Sequence, residues 1–336
     1  MTLIWPYFVG DIHGCWDSYR ALEDRIQAHA ARHGARPVIV SVGDLVDRGP
    51  SSPAVVRHFR LGAAAGTHAA VLGNHDVLLL ESLSVFGPEP LCWPARLMHV
   101  DDLIAAGEKS ARWLTPRDYR AYRKALWLTQ GGYQTLAAYG CDPLDEAGWR
   151  IDPEDLAFLL DLPVVWQDDR FVVTHALATA AALALARLAE GPGDGAGDGA
   201  GDGAEGGPTA REVKQACDAL IWNRRPPDRP ADPDRLHLSG HTPVGRPRRR
   251  PDLGYVQIDT GCVYGGRLTA LCGPTGESFS EPLRDNILMG LPEDEADLAG
   301  ALRTAVLEPD VAALEAGLDT VVGPRGVRLS GGQVQR

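Results

Sequence analysis

Lysine is almost missing from this chain: of its 33 basic residues, all but Lys109, Lys124 and Lys214 are arginine. With so much alanine, glycine and proline beside it, that bias points to a GC-rich genome and discounts odd composition as a sign of function. Net positive charge is missing too. A formal charge of −12 argues against general nucleic-acid binding and against adhesion to anionic membranes. No apolar run approaches the roughly 18–20 residues of a membrane span. The opening MTLIWPYFVGD has neither the basic start nor the small-residue cleavage site of a signal peptide. The six cysteines, at 15, 92, 141, 217, 262 and 272, include no CxxC pair. Reduced thiols and a cytoplasmic setting are therefore expected. A GxxxxGK[ST] loop is also lacking, which excludes a self-contained P-loop nucleotidase.

What remains is an ordinary globular composition, 44% hydrophobic over 336 residues, enough for two domains or one larger α/β domain with an appendage. The first part alternates. LIWPYFV reads as a strand, DSYRALEDRIQAHAARHG as a helix ending at Gly34, and PVIVSV as a second strand. A helix near 53–62, the strand HAAVL and a helix from about 75 follow, the pattern of a layered α/β domain. Residues 93–161 read as mostly helical, with Trp93, Trp113, Trp127 and Trp149 as packing residues. VVWQ, FVVTH, LHLSGH, YVQIDTG and LTALCG then suggest a second sheet rich in hairpins. Residues 191–208, with three copies of GDGA, read as a flexible surface loop. RPRRRP at 246–251 reads first as a solvated turn and second as a docking patch for an acidic substrate.

The chemistry concentrates where strands end. FVGDIHG sets Asp11 and His13 after the first strand, and VSVGDLVDRGP sets Asp44, Asp47 and Arg48 after the second. AVLGNHD sets Asn74, His75 and Asp76 after the third, FVVTH ends on His175, and LSGHTP carries His241. Singly, each is a turn residue or a hydrogen-bonded loop histidine. Jointly, they are mixed nitrogen and oxygen donors at the carboxyl ends of strands, where α/β sheets form sites. Such a set suits Mn, Fe or Zn rather than Ca or a thiolate centre. Two ions roughly 3.5–4 Å apart, with one bridging carboxylate, can activate a water for in-line attack on phosphorus.

GDIHG, GDLVDRG, GNHD, the later histidine and GHTP resemble the calcineurin-like metallophosphoesterases. With GGYQTLAAYG, IWNR and IDTGCVYGGRLTAL they are most similar to the bacterial phosphoprotein phosphatases. The resemblance covers residues 3–273. It implies a sandwich of two mixed β-sheets flanked by helices, over a domain spanning 1–275. It also implies that Asp11, His13 and Asp44 hold one metal, and that Asp44, Asn74, His175 and His241 hold the other, Mn²⁺ being expected. His75, held by Asp47, would protonate the leaving oxygen, and Arg48, Arg224 and Asn74 would grip the phosphate. The implied activity is a serine/threonine protein phosphatase acting on a phosphorylated protein or small phosphoester. The alternative is a symmetrical diadenosine tetraphosphatase or related nucleotide phosphohydrolase, a group in which the spelling GNHD is common. The Asp47-Arg48 pair, with alanine typical there in place of Asp47, and IDTGCVYGGRLTAL tip the balance to the protein phosphatase. Two departures stand out: Asp76 occupies the usual place of a glutamate, and Ala176-Leu177 replace a glycine, which alters the wall beside His175.

Residues 276–336 change character, and 278–336, with RDNILMG, GLDTVVGPRG and LSGGQ, resemble part of an ABC-transporter ATPase domain. Without a phosphate loop this implies no ATPase. The segment reads first as a relic of fusion or truncation and second as a module that docks on a partner ATPase.

Overall fold

The computed structural model describes residues 3–84, 116–190 and 208–280. The alternating first part folds as its pattern predicts. Strands β1 (Leu3–Val9), β2 (Ala35–Ser41) and β3 (His68–Ala70) are separated by helices α1 (Trp16–Arg32) and α2 (Ser52–Ala64), and α3 (Asn74–Ser84) follows. β1, β2 and β3 are parallel, as strands joined by crossover helices must be. Helices α4 (Pro116–Trp127), α5 (Tyr133–Ala138) and α6 (Pro153–Asp161) come next, the last started by Asp152, whose side chain accepts from the Glu154 N–H.

The second group of strands is β4 (Trp166–Gln167), β5 (Phe171–Val173), β6 (Leu236–Ser239), β7 (Arg248–Arg250) and β8 (Tyr255–Gln257). Helices α7 (Ala180–Glu190) and α8 (Ala210–Trp222) sit between β5 and β6, and a capping box of Thr209 and Glu212 opens α8. Strands β9 (Thr269–Cys272) and β10 (Ser278–Ser280) close the described chain. Two five-stranded sheets result, ordered β10-β9-β1-β2-β3 and β4-β5-β6-β8-β7. This is the expected sandwich of mixed sheets.

Three details differ from the sequence reading. The second sheet is not built mainly of hairpins, because β5, β6 and β8 run parallel and only the outer pairs are antiparallel. LTALCG joins the first sheet, antiparallel to β1 with Phe8 opposite Leu271, and an apolar run carries no mark of which sheet it enters. β10 carries that sheet past residue 275, where the sequence reading ends the domain. Apart from Pro208, the Gly/Asp-rich stretch lies outside the described residues, as do Trp93, Trp113 and 281–336. Arg248–Arg250 of RPRRRP form the edge strand β7 rather than a turn, with Arg250 paired to Asp252. No helix among the described residues is long and apolar enough to cross a membrane.

Strand alternation decides which side chains meet. Phe8, Val40 and Leu271 of the first sheet face Phe171, Val173, Leu238 and Val256 of the second, forming the inter-sheet core. The alternate residues, Tyr7, Val9 and Ile39, face the helices. Each such buried side chain contributes about 1.5–3 kcal/mol.

Behind the first sheet lies a buried polar cluster. Glu23 Oε1 is 3.1 Å from His58 Nε2 and 3.2 Å from His68 Nε2, and Tyr19 Oη is 2.8 Å from that same His68 nitrogen. Burial opposes a charge on Glu23, but the bonds from His58 and His68 hold its pKa down, at about 2. A depressed carboxylate pKa stabilises the fold above the unfolded value of 4.5 and loses that contribution as pH falls toward 2. Glu23→Gln should therefore cost about 2 kcal/mol at pH 7. In urea melts the gap to wild type should narrow as pH drops below the unfolded value; a gap independent of pH would refute this account.

Candidate di-metal phosphoesterase site

Six parallel strands, three from each sheet, end on the same edge of the sandwich. Asp11 and His13 follow β1, Asp44 to Arg48 follow β2, and Asn74 and His75 open α3 after β3. His175 follows β5, His241 follows β6 and Asp259 follows β8. They meet at a cleft of about 140 Å³. Of the residues the sequence singles out, Asp11, His13, Asp44, Arg48, Asn74, His75, Arg224 and His241 line it. Asp47 and His175 lie beneath, with no exposure.

The loops that carry them are held in costly conformations. The non-glycine residues with positive φ among the described residues are His13 (47°), Asp44 (52°), Asp47 (72°), Arg48 (69°) and His241 (64°). All belong to the predicted site, and such backbone costs about 1–3 kcal/mol each and persists only where its surroundings enforce it. Asp76 does much of the enforcing. Its carboxylate accepts from the N–H groups of Gly73 (2.9 Å), Asp44 (3.0 Å), Leu45 (3.0 Å) and Val46 (3.4 Å). Burial and the neighbouring Asp44 charge push Asp76 up to about 7. Gly240 supplies room, since a Cβ there would come within 1.9 Å of Asp11 Oδ1.

The donor atoms suit divalent cations. His13 Nδ1–H donates to the Val46 carbonyl and His175 Nδ1–H to the Val42 carbonyl, each at 2.8 Å. Both rings are thereby oriented with Nε2 facing inward, the usual support of a metal-binding histidine. Asp44 Oδ2 stands 3.4 Å from His13 Nε2 and 3.4 Å from His175 Nε2. Asn74 Oδ1 faces His175 Nε2 at 2.9 Å and His241 Nδ1 at 2.8 Å. Burial keeps His13 and His241 neutral, pushing each down to about 3. Burial works the same way on His175, but the Asp44 carboxylate overrides it and lifts the ring to about 10. Burial also raises Asp11 well above the carboxylate range, with Asp259 adding to it. The pocket thus holds protons where a cation would sit, and cation binding would release them.

His75 stands beside His13 and Asp44, its ligand nitrogen within 4.8 Å of theirs, but its other nitrogen is committed elsewhere. Its Nδ1–H donates to Asp47 Oδ2 at 2.8 Å. Asp47 Oδ1 accepts from Trp127 Nε1–H at 3.1 Å and from the Thr135 hydroxyl at 2.8 Å. Gly131, at φ 126°, lets the chain pass close enough for its carbonyl to accept from the Arg48 N–H. GGYQTLAAYG is therefore a buttress for Asp47 and Arg48. Arg48 Nη1 donates to His13 Nε2 at 2.6 Å, and Arg224 reaches the His241 carbonyl at 3.5 Å. The wall beside His175 is closed, because the Ala176 N–H donates to the Leu220 carbonyl and Asn223 Nδ2 to that of Leu177.

Sequence reasoning passed over Asp76 as a loop organiser, Trp127 and Thr135 as partners of Asp47, and Asp259 and Tyr264 as cleft residues. Asp259 lies inside a quoted motif and follows a strand like the other ligand-type residues, and that signal was available.

Fold and donor set define a metal-dependent phosphoester hydrolase. The chain belongs to the calcineurin-like phosphoesterase family, whose model matches residues 6–174. It is 27% identical to the asymmetrical bis(5'-nucleosyl)-tetraphosphatase PrpE of Bacillus velezensis, over 81% of this chain and 90% of that protein. It is 28% identical to the symmetrical bis(5'-nucleosyl)-tetraphosphatase of Ralstonia nicotianae, over 79% of this chain and 88% of that protein. Among solved structures, the cold-active protein-tyrosine phosphatase of a psychrophilic Shewanella aligns with a TM-score of 0.39 at 13% identity, over 83% of this chain and 81% of that one. These curated relatives are tetraphosphatases rather than the protein phosphatases that the sequence reading favoured. The ATPase-like reading of 278–336 finds no support among these matches.

Proposed function

We propose that this chain hydrolyses dinucleoside tetraphosphates with two divalent ions, Asp11, His13 and Asp44 serving one and Asp44, Asn74, His175 and His241 the other. The observation that carries the two-ion part of this reading is Asp44 Oδ2, 3.4 Å from the inward nitrogens of both His13 and His175, so that this carboxylate would serve both ions. When bound, the ions neutralise phosphate charge and activate water as a nucleophile. Arg48 and Arg224 hold phosphate oxygens with planar guanidinium forks. His75, its far nitrogen in the cleft, gives a proton to the leaving oxygen, and Asp47 keeps the ring's tautomer and orientation.

The substrate class comes from the curated relatives. The case for a protein phosphatase rested on the Asp47-Arg48 pair and IDTGCVYGGRLTAL, and Asp47 is fully buried. It touches His75, Trp127 and Thr135 and has no surface with which to read a substrate. The metal is left open by the donor set, with Mn²⁺ the first to load.

The test incubates Mn²⁺-loaded protein with diadenosine tetraphosphate and, separately, with a phosphoserine peptide. Hydrolysis of the dinucleotide is expected to dominate. Two ADP would mark symmetrical cleavage, and ATP plus AMP asymmetrical cleavage. Turnover confined to the peptide would overturn the reading.

A further inference from the structure

Among the described residues the cleft is small for a whole nucleoside. Its volume of about 140 Å³ falls well below the ~300–1,000 Å³ of pockets that engulf drug-sized ligands. Whatever phosphate chain enters must leave its organic part on the rim. Tyr264 stands on that rim. It lines the cleft, yet 59% of the residue is exposed.

An exposed aromatic on a loose loop would mean little. This one is presented by a tightly built turn. Cys262–Tyr264 form a single 3₁₀ turn between Gly261 (φ 75°) and Gly265 (φ 76°), both left-handed. The Tyr264 and Gly266 N–H groups both donate to the Gly261 carbonyl, at 3.0 and 2.9 Å. Asp259 Oδ1 accepts the Gly261 N–H at 2.9 Å, and the Thr260 hydroxyl donates to the Arg267 carbonyl at 2.6 Å. Gly266 permits the crossing, since a Cβ there would meet the Thr260 carbonyl oxygen at 2.2 Å. The turn is thus tied at both ends to the strand that supplies Asp259.

Arg48 connects ring and phosphate grip. Its guanidinium carbon lies 5.1 Å from the Tyr264 ring centroid, over one face. A cation over that face leaves the rest of the exposed ring open at the cleft mouth, next to the guanidinium that meets phosphate.

We propose that Tyr264 is a nucleobase platform: the base of a nucleoside polyphosphate stacks on it while the phosphates enter the cleft beside Arg48. This rests on the dinucleotide reading above and makes the site selective for nucleoside over bare phosphate chains.

The test is equilibrium binding by calorimetry, which needs no turnover. Mn²⁺-loaded wild type, Tyr264→Ala and Tyr264→Phe are each titrated with ADP and with pyrophosphate. Wild type should bind ADP at least about tenfold more tightly than pyrophosphate, in keeping with base–aromatic stacking. Tyr264→Ala should lose most of that margin, its ADP affinity falling much further than its pyrophosphate affinity, and Tyr264→Phe should keep it. No preference for ADP in wild type, or a margin that survives in Tyr264→Ala, overturns the platform. An ADP preference that depends on Tyr264 would uphold it even if the dinucleotide were not hydrolysed. The failure would then belong to the proposed reaction alone.

Discussion

Asp44→Asn should lower kcat/KM on diadenosine tetraphosphate at least about 10³-fold, because groups that act as one catalytic unit fail together. The change is nearly isosteric, and the Asn carbonyl oxygen can still accept the His75 N–H that Asp44 Oδ1 takes at 2.8 Å. The loop should therefore hold its shape, and circular dichroism in excess chelator should stay near wild type. What disappears is the negative charge between His13 and His175. Metal content measured after gel filtration in Mn²⁺ should fall from two ions per chain toward one or none. A variant that keeps two ions and a tenth of the activity would remove Asp44 from the bridging role.

Asp47→Asn should lower kcat about 10²-fold or more with KM little changed, the signature of a lost proton-transfer arrangement. Three donors converge on this carboxylate: His75 Nδ1–H, Trp127 Nε1–H and the Thr135 hydroxyl. An amide cannot accept all three, because its NH₂ must face at least one of them. Either His75 turns away or an unsatisfied buried donor costs about 1–3 kcal/mol. Substrate never touches Asp47, so a loss confined to KM would contradict the positioning role. Trp127→Phe offers a milder comparison, as it removes one donor and leaves the His75 bond intact.

Most of this site could be read from the chain because its residues sit at the same local address. Asp11, Asp44, Asn74, His175 and His241 each follow a strand within a few residues, and strand ends are visible as apolar runs that stop. The supporting shell has no such address. Trp127 and Thr135 lie far along the chain from Asp47, and nothing in a helix's periodicity says which carboxylate an indole will meet. Asp76 looked like a shortened glutamate, whereas its four backbone contacts give it the task of shaping the 44–46 loop. The misplacement of LTALCG has a similar origin. Periodicity of two fixes a strand's faces, but partner and sheet are chosen by the inter-sheet packing of Phe8 against Phe171 and their neighbours.

The left-handed backbone at His13, Asp44, Asp47, Arg48 and His241 bears on anyone who would engineer this protein for heat. Glycine is the residue that relaxes such positions, so a search guided by melting temperature alone would be drawn to these five sites. It would harvest sturdier and inert variants. Durability and turnover compete here at the same peptide bonds, and thermal hardening has to be sought in the helices and the outer strands, away from the strand ends.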